Sequence, residues 1–119
     1  MHNILIVDDE KQIRESLKGA LEDEGYKAAV AGSGEACLEI LKKHNFEVVL
    51  LDVWLPHMDG LELYDRLQGI QNMRGVPVVL ISAKETLPLK ELRERGIYVL
   101  RKPFELEELL YIIEELLSD

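Results

Sequence analysis

The segment Ile4-Leu5-Ile6-Val7-Asp8-Asp9-Glu10 runs four apolar side chains straight into three acids. A strand wetted on one face alternates apolar and polar residues, whereas a strand covered on both faces reads as an unbroken apolar run. Similar, nearly continuous runs return at Phe46-Leu51, Val76-Ile81 and Ile97-Leu100, and a weaker, mixed one at Tyr26-Ala31. Each is followed by a stretch with helical spacing. Five β-α alternations with short connections predict an α/β fold: a five-stranded parallel sheet with right-handed crossovers and helices on both faces, doubly wound. The weak second run belongs at an edge, which fits the strand order 2-1-3-4-5.

The helices support this frame. Ile13, Leu17, Ala20 and Leu21 form one stripe that stops at Gly25, a residue suited to a helix C-terminus. A second helix begins at Ser33, a good N-cap, with Ala36, Cys37, Ile40 and Leu41 facing inward. Gly60 opens a third through Leu61, Leu63 and Leu67, and Glu105 to about Leu117 forms the last. Pro88 confines the fourth to about Pro88 to Arg95, because proline is tolerated chiefly in a first turn; Gly96 ends it.

The 119 residues include 23 acidic and 14 basic side chains, a formal charge of -9, and are 47% hydrophobic. That length predicts one domain over residues 1–119, with no effector domain in the chain. The acidic balance argues against direct contact with nucleic acid, which needs clustered Lys and Arg. No apolar run approaches the roughly 20 residues of a membrane span, and the opening residues lack the basic flank of a signal peptide, so a cytoplasmic location is expected. The single cysteine, Cys37, excludes an internal disulfide and reads as a small core residue. His2, His44 and His57 lack metal-ligand spacing.

Sites of such sheets lie outside the carboxyl ends of the strands. There stand Asp8, Asp9 and Glu10 after strand 1, Asp52 after strand 3, Ser82 after strand 4 and Lys102 after strand 5. Like charges ~4 Å apart repel by about 4 kcal/mol at an effective dielectric near 20. Gathering Asp8, Asp9 and Asp52 therefore calls for a cation, and Mg²⁺ suits one or two carboxylates with waters left for phosphate oxygens. Three carboxylates, a metal, an ammonium and a hydroxyl suit phosphoryl transfer with a carboxylate nucleophile. Glu10 stays outside the ligand set, and Asp59-Gly60 reads as a turn and helix start.

Four pieces, Ile4 to Glu10, Leu50-Leu51-Asp52-Val53-Trp54-Leu55-Pro56-His57-Met58-Asp59-Gly60, Leu80-Ile81-Ser82-Ala83 and Lys102-Pro103-Phe104, resemble the receiver domain of bacterial two-component response regulators. The resemblance covers the whole chain and implies a flavodoxin-like fold. It implies that Asp52 accepts a phosphoryl group from a histidine kinase or a histidine phosphotransfer protein. Asp9 and Asp52 would be direct Mg²⁺ ligands, Asp8 a ligand mainly through water, and the backbone carbonyl of Trp54 a further one. Lys102 would hold a phosphoryl oxygen, with a cis peptide to Pro103, while Ser82 would swing in to bond the phosphoryl group and report it. The domain would be a signalling switch rather than an enzyme, limited to self-phosphorylation and autodephosphorylation.

The chain departs from the family where an aromatic residue commonly stands three positions before the lysine. That position is Val99, with Tyr98 beside it, so either strand 5 slips by one residue or the aromatic switch is missing. Trp54 and Lys84 would flank the path of attacking water, and the bulk of Trp54 suggests slow autodephosphorylation. Lys84 to Lys102 holds six basic and three acidic residues, whereas Glu105 to Asp119 holds six acidic and none basic. This contrast is self-complementary across a two-fold axis and suggests phosphorylation-linked dimerisation through helix 4, strand 5 and helix 5. The rival readings are an Mg²⁺-dependent phosphohydrolase with an aspartyl nucleophile and a pseudo-receiver that binds without being phosphorylated.

Overall fold

Apolar runs become strands where both faces find a helix to cover them, and five do so here. The structure, a computed structural model, describes residues 2–55, 58–83 and 87–118, with residues 54, 55, 58 and 60 described by backbone alone. In chain order the main elements are β1 (Asn3–Val7), α1 (Lys11–Asp23), β2 (Lys27–Ala31), α2 (Gly34–Lys43), β3 (Val48–Asp52), α3 (Gly60–Leu67), β4 (Val78–Ser82), α4 (Leu89–Glu94), β5 (Tyr98–Arg101) and α5 (Leu106–Leu117). The sheet is parallel throughout and ordered β2-β1-β3-β4-β5. A short antiparallel pair, Trp54–Leu55 with Met58–Asp59, and a 3-10 turn at Gln71–Met73 add to the expected elements.

Alternation along the strands divides the core in two. Leu5, Val7, Val49, Leu51 and Leu80 face a cluster that includes Cys37 and Leu41 from α2, Leu63 and Leu67 from α3, and Leu92 from α4. Ile4, Ile6, Val48, Leu50, Val79 and Ile81 face the other, built from Leu17 and Leu21 of α1 and Leu109 and Ile113 of α5. β3 and β4 are buried at every residue, as their unbroken apolar runs require.

Local signals terminate the helices as the sequence indicates. Gly25 and Gly96, with φ of +92° and +79°, turn the chain out of α1 and α4. The Ser33 hydroxyl accepts the Ala36 amide proton at 3.1 Å to cap α2, and the Asp59 carboxylate accepts that of Leu61 at 2.7 Å to cap α3. Pro88 is the N-cap of α4 rather than its first residue, so this helix has only six residues. Among the described residues, no helix is long and apolar enough to cross a membrane.

The strands correct the expected boundaries: β1 begins one residue earlier, at Asn3, and the later strands shift toward their carboxyl ends. Phe46 and Val76 precede the ladder, whereas Asp52, Ser82 and Arg101 belong to it: Asp52 pairs with Ile81 and Ser82 with Arg101. An apolar lead-in residue can pack on the core before pairing begins, and a polar residue can close a ladder without losing its backbone hydrogen bonds. Asp52 and Ser82 are thus terminal strand residues, with backbones held by the sheet.

Candidate functional site

All three buried polar or charged residues among those described lie at the carboxyl ends of β1, β3 and β4: Asp8, Asp52 and Ser82. Burying such groups costs free energy unless they are paired, so their collection at one edge marks a site. β5 brings Lys102 to the same edge, where its backbone N–H donates to the Ser82 carbonyl at 2.8 Å. The Lys102–Pro103 peptide is cis.

Lys102 Nζ donates to Asp52 Oδ2 at 3.2 Å and stands 3.7 Å from Asp8 Oδ2. One ammonium therefore serves two carboxylates. Asp8 is further held by the Glu10 amide, which donates to Asp8 Oδ1 at 2.9 Å, and by its own N–H, which donates to the Ala31 carbonyl at 3.1 Å. Burial pushes the Asp8 carboxyl up to about 6; the Glu10 amide opposes this, the charge of Asp52 adds to it, and Lys102 opposes it. A single cation does not cancel the cost of two carboxylates in this enclosure.

Carboxylate oxygens of Asp8, Asp9 and Glu10 lie within 4.8 Å of one another, Asp8 buried and the other two exposed. Hard oxygen donors, one anchored and two reachable from solvent, fit a small divalent cation that keeps part of its water shell. These donors are compatible with Mg²⁺, and the Glu10 carboxylate lies beside those of Asp8 and Asp9. The sequence signal for this grouping is the unbroken acidic run at the start of α1.

Asp8, Asp52 and Lys102 are in direct contact, Asp9 adjoins Asp8, and Ser82 is fixed one strand from Asp52. The Trp54 backbone begins the short antiparallel pair, while the Trp54 side chain, Lys84 and His57 lie outside the described residues. Cys37 is fully buried, and burial pushes its thiol up to about 12, which suits a core residue and not a nucleophile.

The register of β5 resolves the aromatic question. Leu80 pairs with Val99 and Ser82 with Arg101, so β5 does not slip, and Val99 lies on the Ser82 side of the sheet, packed against the α2-α3-α4 core. Tyr98 falls on the opposite parity and is 48% exposed. Three positions before Lys102 the residue is thus Val99, on the Ser82 side, while Tyr98 faces the other way.

A family model described as the response regulator receiver domain matches residues 4–114. The chain is 36% identical over 120 residues to heme response regulator HssR of Staphylococcus epidermidis, covering 98% of this chain and 52% of that protein. It thus spans about half the length of this curated relative. Among solved structures, chemotaxis protein CheY4 of Vibrio cholerae superimposes with a TM-score of 0.88 at 30% identity, covering 98% of this chain and 99% of that one. Response regulator protein TrrA of Thermotoga maritima, in complex with Mg²⁺-BeF, does so with a TM-score of 0.85 at 31% identity, covering 98% and 100%.

Proposed function

This chain belongs to the response regulator receiver domain family, and from that premise we propose that residues 1–119 act as a phosphoryl-accepting switch of a two-component system, with Asp52 as acceptor. The observation that carries the reading is Lys102 Nζ shared between the Asp52 and Asp8 carboxylates at the carboxyl edge of the sheet. An interaction module has no need to bury two acids around one lysine.

The donor is the phosphohistidine of a histidine kinase or histidine phosphotransfer protein. An Asp52 carboxylate oxygen attacks phosphorus in line; an O–P bond forms, the P–N bond breaks, and the departing imidazole takes up a proton from solvent. Asp8, Asp9 and Asp52, with the Trp54 carbonyl, would hold Mg²⁺, which supplies positive charge to the phosphoryl oxygens. Lys102 moves from the carboxylates to a phosphoryl oxygen, a short displacement for a flexible side chain. Ser82 donates its hydroxyl to the new group and links it to the strand that leads to α4. Water attack on the acyl phosphate resets the switch, so the turnover is that of a timer.

Three large hydrophobic side chains are exposed among the described residues, Tyr98, Leu106 and Tyr111, and all lie on β5 or α5. Together with the basic α4-β5 stretch and the acidic α5, they support self-association of this face on phosphorylation. Sedimentation of the phosphorylated protein as monomer alone would remove that part of the reading.

The test of the acceptor is intact mass after incubation with Mg²⁺ and acetyl phosphate, for the parent and Asp52→Ala. The expected result is a hydroxylamine-labile gain of about 80 Da, one phosphoryl group, lost in the variant. No adduct from acetyl phosphate or a phosphohistidine donor, once rapid hydrolysis is excluded, would leave the pseudo-receiver. Multiple turnover of a phosphate monoester would favour the phosphohydrolase.

A further inference from the structure

The loop that carries the acids is braced by a residue with no part in the chemistry above. Arg14 sits in the second turn of α1, and its side chain reaches back toward the helix N-terminus, the direction helical side chains take. There Nη1 donates to the Asp8 carbonyl oxygen at 3.0 Å. That carbonyl belongs to the peptide joining Asp8 to Asp9, so the bond fixes the peptide plane between two of the acids. The guanidinium also lies against Gly32, at the start of the loop after β2. A Cβ built on Gly32 would stand 3.0 Å from Arg14 Nη1 and 3.4 Å from its Cζ. Gly32 does not adopt a positive φ, so backbone conformation does not require glycine here; a side chain at this position would instead press on the seated guanidinium. β2 also holds the same loop by backbone, through Asp8 N–H to Ala31 O.

We infer that Arg14, seated against Gly32, is a positioning residue that presets the Asp8-Asp9 peptide for divalent-cation binding. Its action is through the backbone, because the bond goes to a peptide carbonyl and not to a carboxylate. Without the brace, the two acids must be ordered when the cation arrives, which lowers affinity. Outer partners of metal ligands typically contribute 10–100-fold in affinity, and one bond to a carbonyl belongs at the low end. The inference rests on the Mg²⁺ reading of the acidic pocket.

Calorimetric titration of the whole chain with MgCl₂ tests it, with folding of each variant checked by circular dichroism in EDTA. Arg14→Met, which retains most of the packing stem, is expected to weaken Mg²⁺ binding about tenfold, and Arg14→Lys to regain part of that loss. Gly32→Val, which leaves Arg14 present but fills its seat, is expected to match Arg14→Met. The double variant is expected to be no weaker than either single one, because both remove the same contact. Gly32→Ala, which forces the guanidinium aside by only a few tenths of an ångström, is expected to cost about threefold; it carries the test if Arg14→Met does not fold. Parent-like affinity in a folded Arg14→Met, or losses that multiply in the double variant, overturns the inference while the Mg²⁺ site stands. A parent that takes up no Mg²⁺ overturns both.

Discussion

The carboxyl edge of β1 and β3 and the α4-β5 face lie in the same sheet but are built to different standards. At the first, β3 is buried at all five positions, and Asp8 and Asp52 are tied to each other through Lys102. At the second, α4 has six residues and β5 four, with one of the four buried. A groove of about 440 Å³ separates them, lined by Leu89, Arg93, Tyr98 and Val99 among others. Leu92 anchors α4 in the core, and Arg95 just past its end adds an exposed contact, 2.7 Å from Asp65 and 5.1 Å above the Tyr64 ring on α3. Segments with few buried apolar contacts open at low free energy. On the proposed function, the carboxylates that carry the chemistry belong to the more deeply buried region, and the rearranging face to the less buried one.

The largest effect that would sharpen this contrast is in the core of the more deeply buried region. Leu51→Ala, at a fully buried position on β3, should lower unfolding free energy by about 2–5 kcal/mol, whereas Val99→Ala on half-buried β5 should cost about 1 kcal/mol or less; equal losses in urea melts would break the comparison. Next comes Lys102→Met, which removes the cation shared by Asp8 and Asp52 and should slow adduct formation from acetyl phosphate by about a hundredfold, read by intact mass against time.

The pH dependence of the same pocket follows from Asp8. Folded and metal-free, it keeps its proton up to about pH 6, whereas the unfolded chain releases it near the ordinary carboxylate value of 3.8. The folded state therefore binds the extra proton in that window, and this group's contribution to stability is present below it and lost as pH rises from about 4 to about 6. Urea melts in EDTA should show that fall in the parent, and a flatter profile in Asp8→Asn. Because cation and proton compete for one carboxylate, Mg²⁺ affinity should weaken as pH drops below about 6. The smallest effect belongs to the less buried face: Arg95→Ala should cost about 0.5 kcal/mol, since exposed ion pairs contribute little. A loss of several kcal/mol there would show α4 to be as firmly held as the acidic edge.

The two regions also differ in how openly they are written in the chain. Ile4-Leu5-Ile6-Val7 followed by Asp8-Asp9-Glu10 states a buried strand with acids at its carboxyl end, and the same grammar at Asp52 and Ser82 places both correctly within a residue. Around Pro88 and Gly96 the periodic signal is too short to say where α4 starts, and the N-cap position of Pro88 emerges only in the fold. Tyr98 and Val99 are indistinguishable as candidate switch residues until a partner strand fixes their register. Pairing with Leu80 then assigns Val99 to the Ser82 side.

Periodicity, glycine and proline placement, and the position of charges after apolar runs are local properties, and by themselves they determined the α/β class, the edge position of the second strand and the residues at the strand ends. Tertiary structure alone decided which of those residues touch. Lys102 meets Asp52 across 50 positions because β3 and β5 both pair in parallel with β4, between them, and end at the same edge, where the long Lys102 side chain reaches across. Arg14 finds the Asp8 carbonyl because Gly32 leaves room, a coincidence of three segments that no window of sequence contains. Patterns within a chain select elements through the solvent each face prefers, whereas contacts between elements depend on crossover, register and the space left by neighbours.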